Sequence, residues 1–150
     1  MAERKAHQVD NWLDNPDGGI RLVLIYGPDR GLVSERAIRF ARSTRLPLDD
    51  AFTVIKLDAS AIDDDPGRLI DEARTVSMFG GERLIWLRGS ASQSALVGAV
   101  SDLLDAPPEN TFVLIEAGDL KKSAKLRTVV EKSSSGITLP CYADDARAID

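Results

Sequence analysis

The residues best placed to do chemistry in this chain lie in one stretch, Leu22-Val-Leu-Ile-Tyr-Gly-Pro-Asp-Arg-Gly-Leu-Val-Ser34. An apolar run enters a glycine turn and continues with helical spacing. A phosphate-binding loop has this layout: backbone N–H groups wrap the α and β phosphates while a lysine reaches the β and γ phosphates. Laid on G-x-x-x-x-G-K-[ST] from Gly27, the second glycine falls on Leu32, the lysine on Val33 and the hydroxyl on Ser34. Valine supplies no charge, and a leucine side chain limits how closely backbone approaches an anion. The stretch is the scaffold of a nucleotide site without its chemistry, so no cofactor is expected.

A second test gives the same answer. A nucleotide-hydrolysing fold of this kind ends a buried strand in carboxylates that hold magnesium and orient water. Here Leu84-Ile-Trp-Leu87 runs into Arg88-Gly89. Other chemistries lack their parts. Cys141 is the single cysteine and His7 the single histidine, far apart in sequence, which makes neither a metal site nor a Cys/His nucleophile. Asp63, Asp64 and Asp65 are consecutive, so their carboxylates do not converge on one metal, and they read as the N-terminal end of a helix with Pro66 in its first turn. No metal is expected, and neither G-x-S-x-G nor G-x-G-x-x-G occurs.

The 150 residues suffice for one full core, and 43% hydrophobic with 29% charged residues is an ordinary globular composition. No apolar run approaches the roughly 20 residues that span a bilayer, and no apolar signal core follows the charged N-terminus, so a cytoplasmic protein without membrane contact is expected. A net charge of −5 argues against a whole-chain nucleic-acid binder. The one candidate basic patch is Lys121, Lys122, Lys125 and Arg127, read either as a solvated helix face or as a contact for DNA or a neighbouring subunit.

The elements that must position these residues follow in order. A short helix over 3–15 ends at Pro16 and the Asp17-Gly18-Gly19 turn and covers an edge or face of a sheet. A strand over 21–26 has the continuous apolar character of burial on both faces. A helix over 31–44 places Val33, Ala37, Phe40 and Ala41 on one face, with Glu35, Arg36, Arg39 and Arg42 elsewhere. A second strand over 52–58 suits a sheet edge. The helix after Pro66 carries Leu69, Ile70 and Ala73, and strands follow over 83–88, 111–117 and 136–140, with helices over 92–104 and 123–131 between them. Alternation at this rhythm predicts right-handed βαβ units: a three-layer α/β/α domain with a five-stranded, mostly parallel sheet. That domain spans 1–140. The polar, acidic residues 141–150 read as the start of a following helical domain, cut short.

With these residues in hand, the chain resembles the N-terminal domain of the delta subunit of the bacterial DNA polymerase III clamp loader. The matching segments are Tyr26-Gly-Pro-Asp-Arg-Gly-Leu-Val33, Asp71-Glu-Ala-Arg-Thr-Val-Ser-Met-Phe-Gly-Gly81, Leu114-Ile-Glu-Ala-Gly-Asp-Leu-Lys-Lys-Ser-Ala-Lys-Leu-Arg127 and Leu139-Pro-Cys-Tyr142, spread over most of the chain. The resemblance implies an AAA+-like fold that has lost nucleotide binding, in a subunit that binds the ring-shaped sliding clamp and opens one of its interfaces. The family belongs to the DNA polymerase III holoenzyme, while this chain itself is expected to be non-catalytic. The family's wedge is a hydrophobic pair at a helix end in a Ser-Leu-Phe-like context, which here reads Ser77-Met78-Phe79. Methionine keeps the volume and apolarity of leucine and adds flexibility. Asp119 falls where active relatives keep a polar sensor of the γ-phosphate, and here is expected only to cap or turn the chain.

Two further readings stay open on the residues alone. Met78 and Phe79 precede Gly80-Gly81, which should stop the helix; the pair then either anchors a partner, with Thr75 and Arg74 at the rim, or staples the helix end to the core beside Val76. The alternative function is a small nucleotide-binding enzyme with a divergent phosphate loop. Contacts with other loader subunits are implied only through regions absent from these 150 residues.

Overall fold

The computed structural model describes residues 6–75, 80–89 and 93–142. In chain order its elements are α1 (Ala6–Asp14), β1 (Leu22–Tyr26), α2 (Arg30–Ser43), β2 (Val54–Asp58), α3 (Ala59–Asp64), α4 (Arg68–Ala73), β3 (Arg83–Arg88), α5 (Gln93–Asp105), β4 (Thr111–Glu116), α6 (Lys125–Lys132) and β5 (Gly136–Pro140). The strands form one sheet in the order β2-β3-β4-β1-β5, and each neighbouring pair is parallel. This is the expected α/β class.

β1 pairs with β4 on one side and β5 on the other. Its Leu22, Leu24 and Tyr26 join the layer formed with α3 to α6, while Val23 and Ile25 join the layer formed with α1 and α2. Burial on both faces is why the run has no polar break. β2 is an edge strand, as its polar positions predict, with Lys56 exposed. It starts at Val54 rather than at residue 52, because Asp50 accepts from the Phe52, Thr53 and Val54 backbone in a tight turn. Phe52 is left 76% exposed. β5 is the other edge, where a terminal Pro140 removes no needed ladder donor.

α1 covers the β5 side as expected and also packs on α2. Trp12 stacks on Phe40 at 5.9 Å, and Phe40 meets Phe112 edge-on at 6.2 Å. Arg39 ties α2 to α1 through Asp10 at 2.8 Å and Asp14 at 2.7 Å. Arg36 departs from the amphipathic reading: it lies on the core face of α2, 1% exposed. Its Nη1 donates to the Pro140 carbonyl at 2.9 Å and to Cys141 Sγ at 3.4 Å, so a long cationic side chain links α2 to the end of β5.

The acidic trio is a correction. Asp63 and Asp64 close α3, and Asp65 is its C-cap, so the three residues end one helix instead of starting the next. α4 begins at Arg68 with Gly67 as N-cap. The sequence reading missed α3 because its true N-cap is Asp58, the last residue of β2, whose carboxylate accepts from the Ser60 N–H and hydroxyl, both at 2.9 Å. The Ser60 backbone bond, then its hydroxyl, hold the Asp58 carboxyl below the usual aspartate range. The contribution of this cap is present above that range and fades as pH falls through the lowered value. Denaturation across acid pH should show the stability gap between the parent and Asp58→Ala narrowing below the ordinary aspartate range, while Asp58→Asn tracks the parent more closely at neutral pH.

Candidate functional site

The turn from Gly27 into α2 lies at the C-terminal end of the sheet. Gly27 has φ +149°, and a Cβ there would lie 1.9 Å from the Cys141 carbonyl oxygen. Its N–H donates to Gly118 O at 3.1 Å, while Cys141 N–H donates to Tyr26 O at 2.7 Å. The glycine is therefore required by strand packing rather than by a bound anion. The next seat is filled from within: Asp29 is the N-cap of α2, and its carboxylate accepts from the Leu32 N–H at 3.1 Å. A carboxylate thus stands where a helix N-terminus would meet phosphate. Val33 is buried, Leu32 packs against the same layer, and Ser34 is half-buried. The two positions that lost glycine and lysine are now core contacts.

Beside this loop is a cleft of about 290 Å³ lined by Arg30, Val33, Ser34, Arg88, Gly89 and the 116–118 backbone. A neighbouring hollow of about 190 Å³ extends it past Asp119 and Leu120. At the end of β3, where a magnesium-binding fold needs carboxylates, Arg88 lies over Trp86 at 4.7 Å and donates from Nε to Glu116 at 2.9 Å. Trp86 Nε1 donates to the same Glu116 oxygen. Glu116 was not singled out from sequence, although it is the only charged residue in the run 111–117. The charged residues that line this cleft are Arg30, Arg88 and Glu116. Asp119 is exposed on the cleft wall.

The basic patch needs one correction. Lys121, Lys122 and Lys125 are exposed, but α6 begins only at Lys125, and Lys121 with Lys122 belong to the preceding turn. Arg127 is 4% exposed. Its Nε donates to Glu131 at 2.9 Å, its Nη1 to Leu120 O at 3.2 Å, and its guanidinium lies 5.0 Å from the Tyr26 ring centre. Burial, then the neighbouring Tyr142, push the Tyr26 hydroxyl well above its ordinary range, so this ring is neutral. Arg127 is a core bolt, and the exposed patch has three lysines.

At the opposite end of the sheet, a larger cleft of about 430 Å³ lies between the end of α4 and the 106–111 segment. Here α4 stops at Ala73, with Arg74 as C-cap, before the Gly80-Gly81 stop that the sequence predicts. The Thr75 hydroxyl donates to Asp71 O at 2.7 Å and Arg83 donates to Glu72 O at 2.7 Å, so side chains satisfy carbonyls that a longer helix would have used. Gly80 and Gly81 have φ +71° and +92°. Thr75 is exposed; Ser77, Met78 and Phe79 lie outside the described residues, as does Val76. Among the described residues, no His, Cys, Asp and Glu group is arranged to hold a metal, and no helix is long and apolar enough to cross a membrane.

Neither a protein-family model nor a curated protein sequence matches the chain. Solved structures do. The Bacillus subtilis DNA clamp loader delta protein is similar with a TM-score of 0.67 at 18% identity, over 92% of this chain and 42% of its own. The chain shares the fold of that protein over this range. A DNA polymerase III gamma subunit-related protein from Thermotoga maritima has a TM-score of 0.60 at 15% identity, over 92% of this chain and 46% of its own. The chain therefore spans less than half the length of either structure. Within this fold the filled loop and the Arg88–Glu116 pair occupy the crevice at the strand C-termini, where open α/β sheets receive ligands.

Two substitutions test how that end is built. Gly27→Ala should lower the stability by about 2 kcal/mol, since a side chain there is strained and collides with Cys141. Asp29→Ala should cost about 1 kcal/mol through the lost cap. Urea unfolding measures both, and a neutral Gly27→Ala would contradict the close approach.

Proposed function

We propose that this chain is a clamp-loader domain of the delta type, which binds the ring-shaped sliding clamp and helps to open it for loading onto DNA. One observation supports the reading: the fold is shared with clamp-loader structures, while Asp29 caps the helix end where a phosphate would sit and Glu116 pairs with Arg88 at the end of β3. A domain of this kind acts by contact rather than by hydrolysis. It favours an open clamp only by as much as it binds that state better than the closed one.

The contact is assigned to Met78 and Phe79, flanked by Ser77 and Thr75, with Arg74 at the rim. Support comes from the sequence context of the pair, Ser77-Met78-Phe79 before Gly80-Gly81. A large apolar residue seated in a partner pocket contributes about 2 kcal/mol or more. Lys121, Lys122 and Lys125 face solvent and offer at most a weak approach to DNA or to a neighbouring subunit. Other loader subunits join through regions outside these residues, and replication work places the protein in the cytoplasm.

Calorimetric titration of the chain with the sliding clamp of the same organism tests the reading. The parent should bind, and a folded Met78→Ala/Phe79→Ala variant should bind tenfold or more weakly, about 1.4 kcal/mol. Addition of ATP with Mg²⁺ should leave the melting temperature unchanged, because a ligand that binds the native state raises it. Saturable ATP binding without clamp binding would instead establish the nucleotide-binding alternative.

A further inference from the structure

Among the described residues, Phe52 is the most exposed large apolar side chain, at 76%, with Tyr142 next at 38%. A single exposed hydrophobe needs no explanation by itself. Two further facts set this one apart: the backbone that carries it is fixed, and its place in the fold is specific.

Asp50 fixes the backbone. Its Oδ1 accepts from the Phe52 N–H at 2.9 Å and its Oδ2 from the Thr53 hydroxyl at 3.1 Å, while its carbonyl accepts from the Thr53 and Val54 N–H groups at 3.1 and 2.8 Å. The Asp50 N–H donates to Pro47 O at 3.0 Å, which closes the 47–53 turn. A ring held out on such a turn loses little backbone freedom when it docks.

The place follows from β3. The Leu84 N–H donates to Thr53 O at 2.9 Å, and Arg83 Nη1 donates to Thr75 O at 3.2 Å. Consecutive residues at the start of β3 thus hold both the turn and the exit of α4, at the N-terminal end of the sheet. A stable protein interface covers roughly 800 Å² on each partner, about 20–30 residues, so a contact at the exit of α4 extends well past one pair of side chains. Pro47 and Ala51 are exposed beside Phe52 in the same turn, and Asp49 supplies an exposed polar neighbour, the composition of an anchor with a rim.

We propose that Phe52 is a second apolar anchor for the sliding clamp, carried on the 47–53 turn. Its partner rests on the clamp-binding reading; its placement rests on the turn and on the first two residues of β3.

Calorimetric titration of the full chain with the clamp tests this, for the parent and Phe52→Ala, with urea unfolding of both. Phe52→Ala should bind about fivefold or more weakly and keep the parental urea midpoint, because the ring is already in solvent. A photo-crosslinking phenylalanine analogue at position 52 should capture the clamp, and the same group at position 122, exposed at the opposite end of the sheet, should not. Undiminished clamp binding by Phe52→Ala overturns this inference alone, as does weakened binding without capture from position 52. A lowered urea midpoint overturns the solvent-exposed placement of the ring. Sedimentation of the parent covers the other occupant: self-association abolished by Phe52→Ala, with clamp affinity kept, assigns the ring to a second copy instead. No clamp binding by the parent overturns the proposed function, and this anchor with it.

Discussion

The rest of the structure depends on the burial of β1 on both faces. Leu22, Leu24 and Tyr26 contact one helical layer and Val23 and Ile25 the other, with β4 and β5 on either side. A strand held in this way cannot shift without reversing every one of its side chains. Its exit point is consequently fixed, and with it the turn at Gly27 and the start of α2. Those constraints are packing constraints. They hold whether or not a phosphate is bound, which explains how a loop can keep its course while its lysine and second glycine are replaced by Val33 and Leu32.

The first N–H groups of α2 need acceptors, and the charges at the ends of β3 and β4 need partners. The chain solves both internally. Asp29 accepts from Leu32, and Arg88, in the place of a carboxylate, pairs with Glu116. Trp86 supports the pair, with the Arg88 guanidinium over its ring and its own N–H on Glu116. These contacts are local and cheap to make, since each uses a side chain that already stands at the end of a strand or helix. They leave the space beside them unfilled, as a cleft of about 290 Å³.

The sheet was legible in the sequence because its strands are buried runs bounded by glycine, proline and helical periodicity. Residues 83–88 and 136–140 match β3 and β5 at both ends. Errors arose where a charged side chain has a long-range partner. Arg36 and Arg127 look like solvent-facing cations in a helical pattern, but one reaches Pro140 and Cys141 and the other reaches Leu120, Glu131 and Tyr26. Periodicity cannot show such partners, because an arginine carries enough methylene to lie in a core if its head finds acceptors. The acidic trio misled for a related reason: its proline is a good helix-start signal, while the cap that matters, Asp58, was already assigned to a strand. At the candidate sites, the emptied loop could be read from residue types alone. Glu116 and Arg83 could not, since each derives its role from a residue on another element.

The two ends of the sheet therefore differ in what they can do. At the strand C-termini, Arg88 and Glu116 pair with each other beside the cleft, and Asp29 caps the N-terminal end of α2. At the N-termini, β3 and β4 begin beside a cleft, and Arg83 ties the short α4 to the sheet on which it rests. A six-residue helix has little stability of its own and must take its position from tertiary contacts. Leu69 and Ala73 supply the apolar part, and the Arg83–Glu72 ion pair supplies the polar part.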